Sequence, residues 1–367
     1  MTKPCGIVGG GLASLVAYAT LRKGGLEPAE IAVFGTDTDP ASDFRRRAAA
    51  IRQSHMRSES EGHAAATSWP GLAVWTALRR GNPVPLVTTL FDRYHPTVDD
   101  FLDHLAEVRE RSGWDESVTL GRISRIRAVD GGFQLDHHGR FQHVLVAPGH
   151  PGLAVPEGLE GDPRAVHAYV PHDYAGDVTV VGAGMAAATE WLNALAAGAR
   201  VVSVRRRPPE RRPLNLPRTL FTRRGLAAFH RTATLERVAL LRRWSTPSYP
   251  PGRAWDEPIE EARAQGRFKV EAELNGADQI ICATGFKRGY RQDALLARLV
   301  REHDLETAED WIVLSPDSTV PALTDSERTL SLAGIPAQWA FPAADTLAGA
   351  KYAARRLLRR VSACRTR

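Results

Sequence analysis

Residues 5–14 read CGIVGGGLAS, and this stretch decides the fold. A short apolar strand runs into three glycines, after which small residues open a helix. The glycines follow the G-x-G-x-x-G/A pattern of dinucleotide-binding folds: Gly9 permits the tight turn, Gly11 lets the backbone approach a pyrophosphate, and Ser14 keeps the helix close to the sheet. With Gly10 between them, these residues are predicted to bind phosphates at a helix N-terminus, whose free N–H groups attract anions.

A second copy of the same pattern occurs in the middle of the chain. Residues 177–187 read DVTVVGAGMAA, which is again a strand, a glycine turn and the start of a helix. Gly182, Gly184 and Ala187 take the three small positions. One copy is a weak signal because such turns also occur for structural reasons alone, but two copies favour two nucleotide-binding units.

Arginines follow the second strand of the mid-chain unit. That strand is predicted at 200–204, and Arg205 and Arg206 come directly after it. An acidic residue at this position selects NAD, whereas arginine accommodates the 2′-phosphate of NADP. The planar guanidinium suits a phosphate because it donates two parallel hydrogen bonds and keeps its charge. We therefore predict NADPH at the second turn.

The first unit lacks an acidic residue at the corresponding position. Its second strand, predicted at 30–34, is followed by Gly35, where such folds place a carboxylate that binds the adenosine ribose. The nearest carboxylate is Asp37. Two alternatives stay open: Asp37 binds the ribose from a shifted loop, or it caps the following turn.

The composition is that of a globular protein with about two domains. The chain has 367 residues, of which 43% are hydrophobic and 25% charged, and its net charge is +6. No run approaches the roughly 18 consecutive apolar residues of a membrane span, and no nucleic-acid motif accompanies the arginines. The three cysteines lie far apart without a C-x-x-C pair, which argues against disulfides, zinc and a dithiol redox centre. We expect a cytoplasmic protein with no metal, membrane or nucleic-acid partner.

The segments between the glycine turns predict an α/β architecture. Residues 40–95 are loop-rich without clean periodicity, and a helix is predicted to start at Pro96-Thr97. Short β-type runs between 118 and 146 predict a β-meander. It ends in a turn that contains Gly149. Further predicted elements are strands at 268–272 and 330–333, a buried strand that ends in a small-residue turn within 279–286, and a helix from about 345 to 360.

In their order along the chain, these features resemble the flavoproteins with two Rossmann-like dinucleotide-binding domains. An A-T-G-F turn at 283–286 and a late glycine, Gly334, before a helix near Asp345 complete the series. Within that class the chain is most similar to the flavin-containing monooxygenases and amine N-hydroxylases (class B, single-component). The resemblance spans nearly the whole chain, except an arginine-rich helical insertion at 208–265.

The resemblance implies FAD at the first turn and NADPH at the second. An FAD domain (1–160 plus 277–367) is then interrupted by an NADPH domain (161–276) that carries the insertion. Beyond the glycine turns and the two arginines, the cofactor contacts predicted in this way are Asp37, Arg52, Gly149, Thr284, Gly285, Gly334 and Asp345.

The implied activity is the NADPH-consuming oxygenation of a nucleophilic nitrogen or sulfur in a small molecule by O₂, through a C4a-hydroperoxyflavin. The family's equivalent of segment 51–63 passes the flavin, so Arg57 and Ser58 are the predicted catalytic residues; surface salt bridges and turn hydrogen bonds are the alternative for this loop. The monooxygenase signature F-x-G-x-x-x-H, which precedes the second glycine turn in that family, is represented here only by His167. We expect His167 to be a structural hydrogen-bonding residue. Two other functions stay open, an NADPH-dependent flavin reductase or dehydrogenase without oxygenation and a flavin-poor binding protein.

Overall fold

The computed structural model describes residues 3–57, 72–90, 94–212, 216–274, 276 and 278–365, with only the backbone at 89–90. Ser58 lies outside the described residues. The strands are β1 (Lys3–Val8), β2 (Ile31–Gly35), β3 (Val118–Leu120), β4 (Ile126–Val129), β5 (Gly132–Leu135), β6 (Arg140–Val146), β7 (Ala165–His167), β8 (Asp177–Val181), β9 (Arg200–Val204), β10 (Glu210–Arg211), β11 (Ser248–Tyr249), β12 (Phe268–Glu271), β13 (Gln279–Cys282), β14 (Thr307–Ala308), β15 (Trp311–Ile312) and β16 (Thr329–Leu332). The helices are α1 (Leu12–Lys23), α2 (Ser42–Ala50), α3 (Leu72–Arg80), α4 (Val84–Leu90), α5 (Val98–Ser112), α6 (Met185–Ala196), α7 (Arg223–Arg231), α8 (Thr234–Trp244), α9 (Arg253–Ala264), α10 (Ala294–His303) and α11 (Leu347–Arg365).

The first sheet is built around β1. Strands β2 and β6 pair with its two edges, and β3 and β16 extend the parallel sheet outward. The antiparallel pair β4–β5 continues onto the start of β6. Every residue of β2 and β16 is buried, as expected for parallel strands that are covered on both faces. Apolar side chains of α1, α5 and α11 form the core on one of those faces.

The second sheet repeats this arrangement with β8 at its centre. All of its strands are parallel, in the order β12-β9-β8-β13-β7. The side chain of Trp191 on α6 is fully buried and packs edge-on against Tyr249 and Phe268. Because β13 lies between β8 and β7, the second sheet extends to Cys282, beyond the predicted domain boundary at 276.

The insertion 208–265 packs against both units. Helix α9 lies against α6, so it belongs to the core of the second unit rather than outside the common fold. Helices α7 and α8 bury Phe229 and Leu241 in a core that also contains Trp339 and Phe341 of the first unit. The insertion therefore joins the first unit to the second.

Some elements differ from the sequence-based prediction. Helices α2, α3 and α4 occupy much of segment 40–95, where loops were predicted. Helix α2 buries only Ala48 and Ala50, so it has no apolar stripe for a periodicity argument to find. Strand β3 pairs with β2 in parallel instead of joining the meander. The helix expected after Pro96 is confirmed as α5, and the hydroxyl of Thr97 caps it by accepting the N–H of Asp100 at 3.0 Å.

Among the described residues, none of the helices combines the length and the apolar character that a membrane crossing requires.

Candidate functional site

The two glycine turns have the same backbone geometry. Gly9 has a φ of +118° and Gly182 a φ of +140°. A Cβ added to Gly9 would lie 2.0 Å from the carbonyl oxygen of Ala147, and one added to Gly182 would lie 2.4 Å from that of Ala283. In each turn the first glycine thus packs against the residue that directly follows the neighbouring strand, β6 in the first sheet and β13 in the second. Only glycine fits both the backbone angle and the space.

The N-terminus of α1 is open at the first turn. Gly11 is the residue that precedes the helix, and no atom lies within 4 Å of the position a Cβ would take there. The first turn of the helix carries no acidic residue. The hydroxyl of Ser14 is buried and makes no hydrogen bond within the described part of the chain. These features leave space, unpaired N–H groups and a partial positive charge for an anion.

The absence of a carboxylate at position 35 has a steric reason. A Cβ on Gly35 would lie 2.7 Å from the Cα of Gly10, and a Cβ on Gly10 would lie 2.9 Å from the Cα of Gly35. The glycine turn and the end of β2 therefore touch through bare backbone. A side chain at either position would push the two apart.

Asp37 makes the turn-capping contact that was one of its two alternatives. Its Oδ1 accepts the backbone N–H of Asp39 at 2.9 Å. This hydrogen bond, followed by one from Ser42, holds the pKa of Asp37 below its usual value. The carboxylate is exposed, so a ribose contact remains a prediction.

The second turn opens toward the arginines that follow β9. Gly184 precedes α6, and the nearest neighbour of a Cβ placed there would be Pro247 at 3.7 Å. Ala187 is fully buried against the sheet. The guanidinium of Arg205 lies 5.4 Å from the centre of the Trp191 ring, and burial lowers the pKa of Arg205. Within the described residues neither Arg205 nor the exposed Arg206 forms an ion pair, so both retain an unneutralised charge.

The turns after β6 and β13 form the junction between the units. Segments 152–154 and 285–287 pair in antiparallel fashion, with Ala154 N–H donating to the Gly285 carbonyl at 3.0 Å. The hydroxyl of Thr284 donates to the carbonyl of Ala154. Gly285 and Gly149 both have positive φ, and Gly149 faces open space. Of these predicted cofactor residues, Thr284 and Gly285 visibly hold the two chain connections together.

His167 has a structural role at this junction. Its Nδ1 accepts the backbone N–H of Tyr169 at 3.1 Å, so its Nε2–H donates to the carbonyl of Gly285 at 2.9 Å. Burial lowers the pKa of His167 and favours this neutral form. The expectation of a hydrogen-bonding residue rather than a proton donor agrees with this geometry.

Rings stack beside the junction. Phe286 lies between His150, at 3.9 Å between ring centres, and Tyr169, at 5.0 Å. The guanidinium of Arg47 sits 4.8 Å from the Phe286 ring centre. Burial, and then the charges of Arg47 and Arg288, lower the pKa of His150 to about 4. His150 is therefore neutral at physiological pH.

The candidate residues of segment 51–57 contact the second unit. Arg52 donates to the carbonyl of His172 at 2.9 Å and pairs with Asp173 at 3.0 Å. Arg57 donates to the carbonyl of Arg212 at 2.8 Å and approaches Ser248. Both arginines thus bridge the units in the structure, while a cofactor contact for Arg52 and a catalytic role for Arg57 remain predictions.

Gly334 directly precedes Ile335, which lines a cavity, and Asp345 is influenced by the charge of Arg288, which lines the same cavity. Gly334 has a φ of +71° and faces open space. The residue Asp345 is exposed, although protein atoms surround its carboxyl group. Desolvation raises the pKa of Asp345, and the nearby charge of Arg288 opposes this shift. The cavity, of about 200 Å³, is lined by Gly149, Ile335 and Pro336 together with residues of α8, α10 and β15.

Sequence reasoning missed a buried polar cluster on α6. Glu190 is completely buried, and its Oε2 accepts from Tyr174 at 2.7 Å and lies 3.0 Å from Nε2 of His172. The Nδ1 of His172 lies 2.7 Å from the Val170 carbonyl. The sequence offered one signal for this cluster, an acidic residue within the mostly apolar helix MAAATEWLNALA.

No protein-family model matches the chain, and no curated protein matches its sequence. Solved structures match it over nearly its whole length. The ornithine N-hydroxylase of Kutzneria sp. 744 gives a TM-score of 0.76 at 15% identity over 99% of both chains. The cadaverine monooxygenase of Erwinia amylovora gives 0.72 at 13% identity over 99% of this chain and 95% of that one. The chain has the fold of the flavin-dependent amine N-hydroxylases. The resemblance inferred from the sequence is confirmed at the level of fold.

A disulfide reductase shares the N-hydroxylase fold more loosely. The bacillithiol disulfide reductase of Bacillus cereus gives a TM-score of 0.62 at 15% identity over the full length of both chains. The cysteines of this chain's core are poorly suited to thiol chemistry. Burial raises the pKa of Cys5 to about 12 and also raises that of Cys282, so neither forms a thiolate near neutral pH.

Proposed function

We propose that this chain is an FAD-dependent, NADPH-consuming monooxygenase that hydroxylates the nitrogen of a small-molecule amine. The observation that carries the proposal is the pair of glycine turns with matching geometry, set in a fold shared with N-hydroxylases of diamines and diamino acids. The reduced, unpaired cysteines of the core fit a cytoplasmic setting, where NADPH is available.

The first turn fits the pyrophosphate of FAD. Gly9 keeps the turn tight, Gly11 leaves room for the phosphates, and the orphaned hydroxyl of Ser14 is available nearby. Bound FAD would accept a hydride from NADPH and activate O₂. The protein would hold the flavin rings near the predicted contacts Gly334 and Asp345 and exclude water from them.

The second turn fits NADPH, with Arg205 facing the 2′-phosphate. The Arg205→Ala variant is expected to lower the ratio of kcat/KM for NADPH to that for NADH about tenfold or more, because a hydrogen bond to a charged group contributes about 1.5–3 kcal/mol. Arg200→Ala serves as the control, since Arg200 lies at the opposite end of β9 and pairs with Asp177. Steady-state rates of NADPH and NADH oxidation give this ratio for both variants. An unchanged ratio in Arg205→Ala contradicts the assignment.

The reaction joins one oxygen atom of O₂ to an amine nitrogen and releases the other as water, with NADPH supplying two electrons. The purified protein is expected to be yellow and to oxidise NADPH faster in the presence of its amine. Mass spectrometry of reactions run under ¹⁸O₂ is expected to find one labelled oxygen atom in a hydroxylamine product. NADPH oxidation that yields hydrogen peroxide alone with every amine tested favours the reductase alternative, and a colourless protein that binds no flavin contradicts both.

A further inference from the structure

The cavity beside the candidate flavin site, here called the chamber, has walls from four parts of the chain. Gly149, Ile335 and Pro336 lie on the side of the predicted FAD contacts. Further lining residues come from α8 of the insertion and from the segment 288–312. At about 200 Å³ the chamber is smaller than the roughly 300–1,000 Å³ pockets of drug-sized ligands, so its occupant is small.

The wall formed by 288–312 contains an apolar part. Tyr290, Leu296, Trp311 and Ile312 contribute to it. Leu296 and Ile312 are buried, and Tyr290 and Trp311 pack against the same core. Such a surface binds an aromatic or branched hydrocarbon group.

The carboxylates of the chamber already have partners. Oδ1 of Asp293 accepts the N–H of Leu296 at 2.9 Å and caps α10. Oδ1 of Asp310 lies 3.5 Å from the guanidinium of Arg291. Each acid thus already interacts with one donor of the protein itself.

The cations of the chamber differ from one another. Arg242 pairs with Glu309. The guanidinium of Arg288 makes no hydrogen bond or ion pair anywhere in the described ranges, and its charge acts on the neighbouring His150 and Asp345. An unneutralised guanidinium at the edge of a small apolar chamber suits a carboxylate.

We propose that the chamber binds an α-amino acid with an apolar side chain, whose carboxylate pairs with Arg288 and whose side chain packs against Tyr290, Leu296 and Trp311. This inference rests on the proposed function. The α-nitrogen gains one oxygen atom and becomes N–OH, while the other atom of O₂ leaves as water. NADPH supplies two electrons and, with one proton from solvent, the hydrogens that balance the water.

The test is calorimetric binding to the protein as purified, with L-phenylalanine, 2-phenylethylamine, L-leucine, L-lysine and cadaverine as probes. L-Phenylalanine is expected to bind more tightly than cadaverine and L-lysine. Arg288→Gln is expected to weaken L-phenylalanine binding about tenfold to a hundredfold and to leave 2-phenylethylamine, which lacks the carboxylate, unchanged. Arg288→Lys, which keeps the charge, should retain part of the affinity. Lys287→Gln is the matched control, since this exposed neighbour does not line the chamber.

Tighter binding of cadaverine, or equal weakening of L-phenylalanine and 2-phenylethylamine by Arg288→Gln, overturns the proposal. Should Arg288→Gln not fold, the comparison of L-phenylalanine with 2-phenylethylamine in the parent and in Arg288→Lys decides the same question. Arg288-dependent binding without any hydroxylamine product supports the chamber and contradicts the N-hydroxylase function. Hydroxylation that does not depend on Arg288 supports the N-hydroxylase function and overturns the proposal that the chamber binds the substrate through Arg288.

Discussion

The Gly9→Ala variant is expected to lose about 3 kcal/mol or more of unfolding free energy and to fail to retain FAD. The added methyl would lie 2.0 Å from the carbonyl oxygen of Ala147, and Gly9 and Ala147 directly follow the paired central strands β1 and β6. Overpacking of this kind costs about 1–3 kcal/mol. The positive φ adds a further penalty, because alanine is strained where glycine is not.

Gly11→Ala is the matched control for this variant. Gly11 has a φ of −91°, which suits alanine, and no atom lies within 4 Å of the new methyl. The unfolding free energy is therefore expected to stay within about 1 kcal/mol of the parent, the remaining cost being the poorer helix cap. FAD affinity is still expected to fall at least about tenfold, since the methyl would occupy the space through which the backbone approaches a pyrophosphate.

Urea unfolding and fluorescence titration of FAD into the apoprotein measure the two quantities separately. A stable Gly9→Ala protein with normal FAD affinity would show that the turn is more adaptable than its contacts indicate. Normal FAD affinity in Gly11→Ala would show that the pyrophosphate does not bind at the N-terminus of α1.

The sequence was sufficient for the features that depend on local chemistry. The turns at Gly9 and Gly182 require glycine whatever surrounds them, because their backbone has a positive φ. The strand–turn–helix units could therefore be placed from the pattern alone. The contact between Gly10 and Gly35 could not, because it joins two segments whose approach is set by the pairing of β1 with β2. A carboxylate expected at position 35 is excluded by a backbone neighbour that no local pattern reveals.

Long-range polar contacts were equally hidden. Arg52 and Arg57 attracted attention as charged residues in a loop, but their partners lie in the second unit, more than a hundred positions along the chain. Arg288 stood next to the A-T-G-F turn without any motif of its own. Its significance depends on which nearby carboxylates are already paired, and only the folded arrangement determines that.

The buried cluster around Glu190 has the second large expected effect. Arg52 lies over the Tyr174 ring at 4.6 Å, and Asn193 of α6 donates to the Ile51 carbonyl at 2.7 Å. Tyr174 in turn donates to Glu190. Glu190 therefore supports the segment that carries the contacts between the units. Glu190→Ala is expected to cost about 3 kcal/mol or more, because removing one member of a buried pair leaves the other without compensation.

Glu190→Gln tests the charge without emptying the site. Glu260→Gln, on the exposed side of α9, is the control and is expected to remain within about 0.5 kcal/mol of the parent. Loss of stability in both glutamine variants to the same extent would assign the effect to general electrostatics rather than to the cluster.

The pH dependence of the Glu190 effect follows from His172. Both ring nitrogens face oxygen acceptors, the carbonyl of Val170 and the carboxylate of Glu190, which an imidazolium satisfies. Although desolvation is the largest influence and opposes protonation, the hydrogen bonds to these acceptors raise the pKa of His172 overall, against the repulsion of Arg52. A raised folded-state pKa gives stability that is fully present below the unfolded value of about 6.5 and is lost as the pH rises through the folded value.

The difference in unfolding free energy between the parent and Glu190→Gln is therefore expected to be largest near pH 5.5 and to shrink toward pH 8.5. Tyr174 and Arg52 also face this cluster, and the charge of Glu190 acts on His167 and Tyr169. Burial lowers the pKa of His167 and keeps it neutral, so His172 is the group that titrates in this range. Urea unfolding at half-unit pH steps measures the difference. A difference that is constant with pH, or that grows toward pH 8.5, contradicts a protonated His172 paired with Glu190. His172→Gln should abolish the pH dependence while Glu260→Gln preserves it.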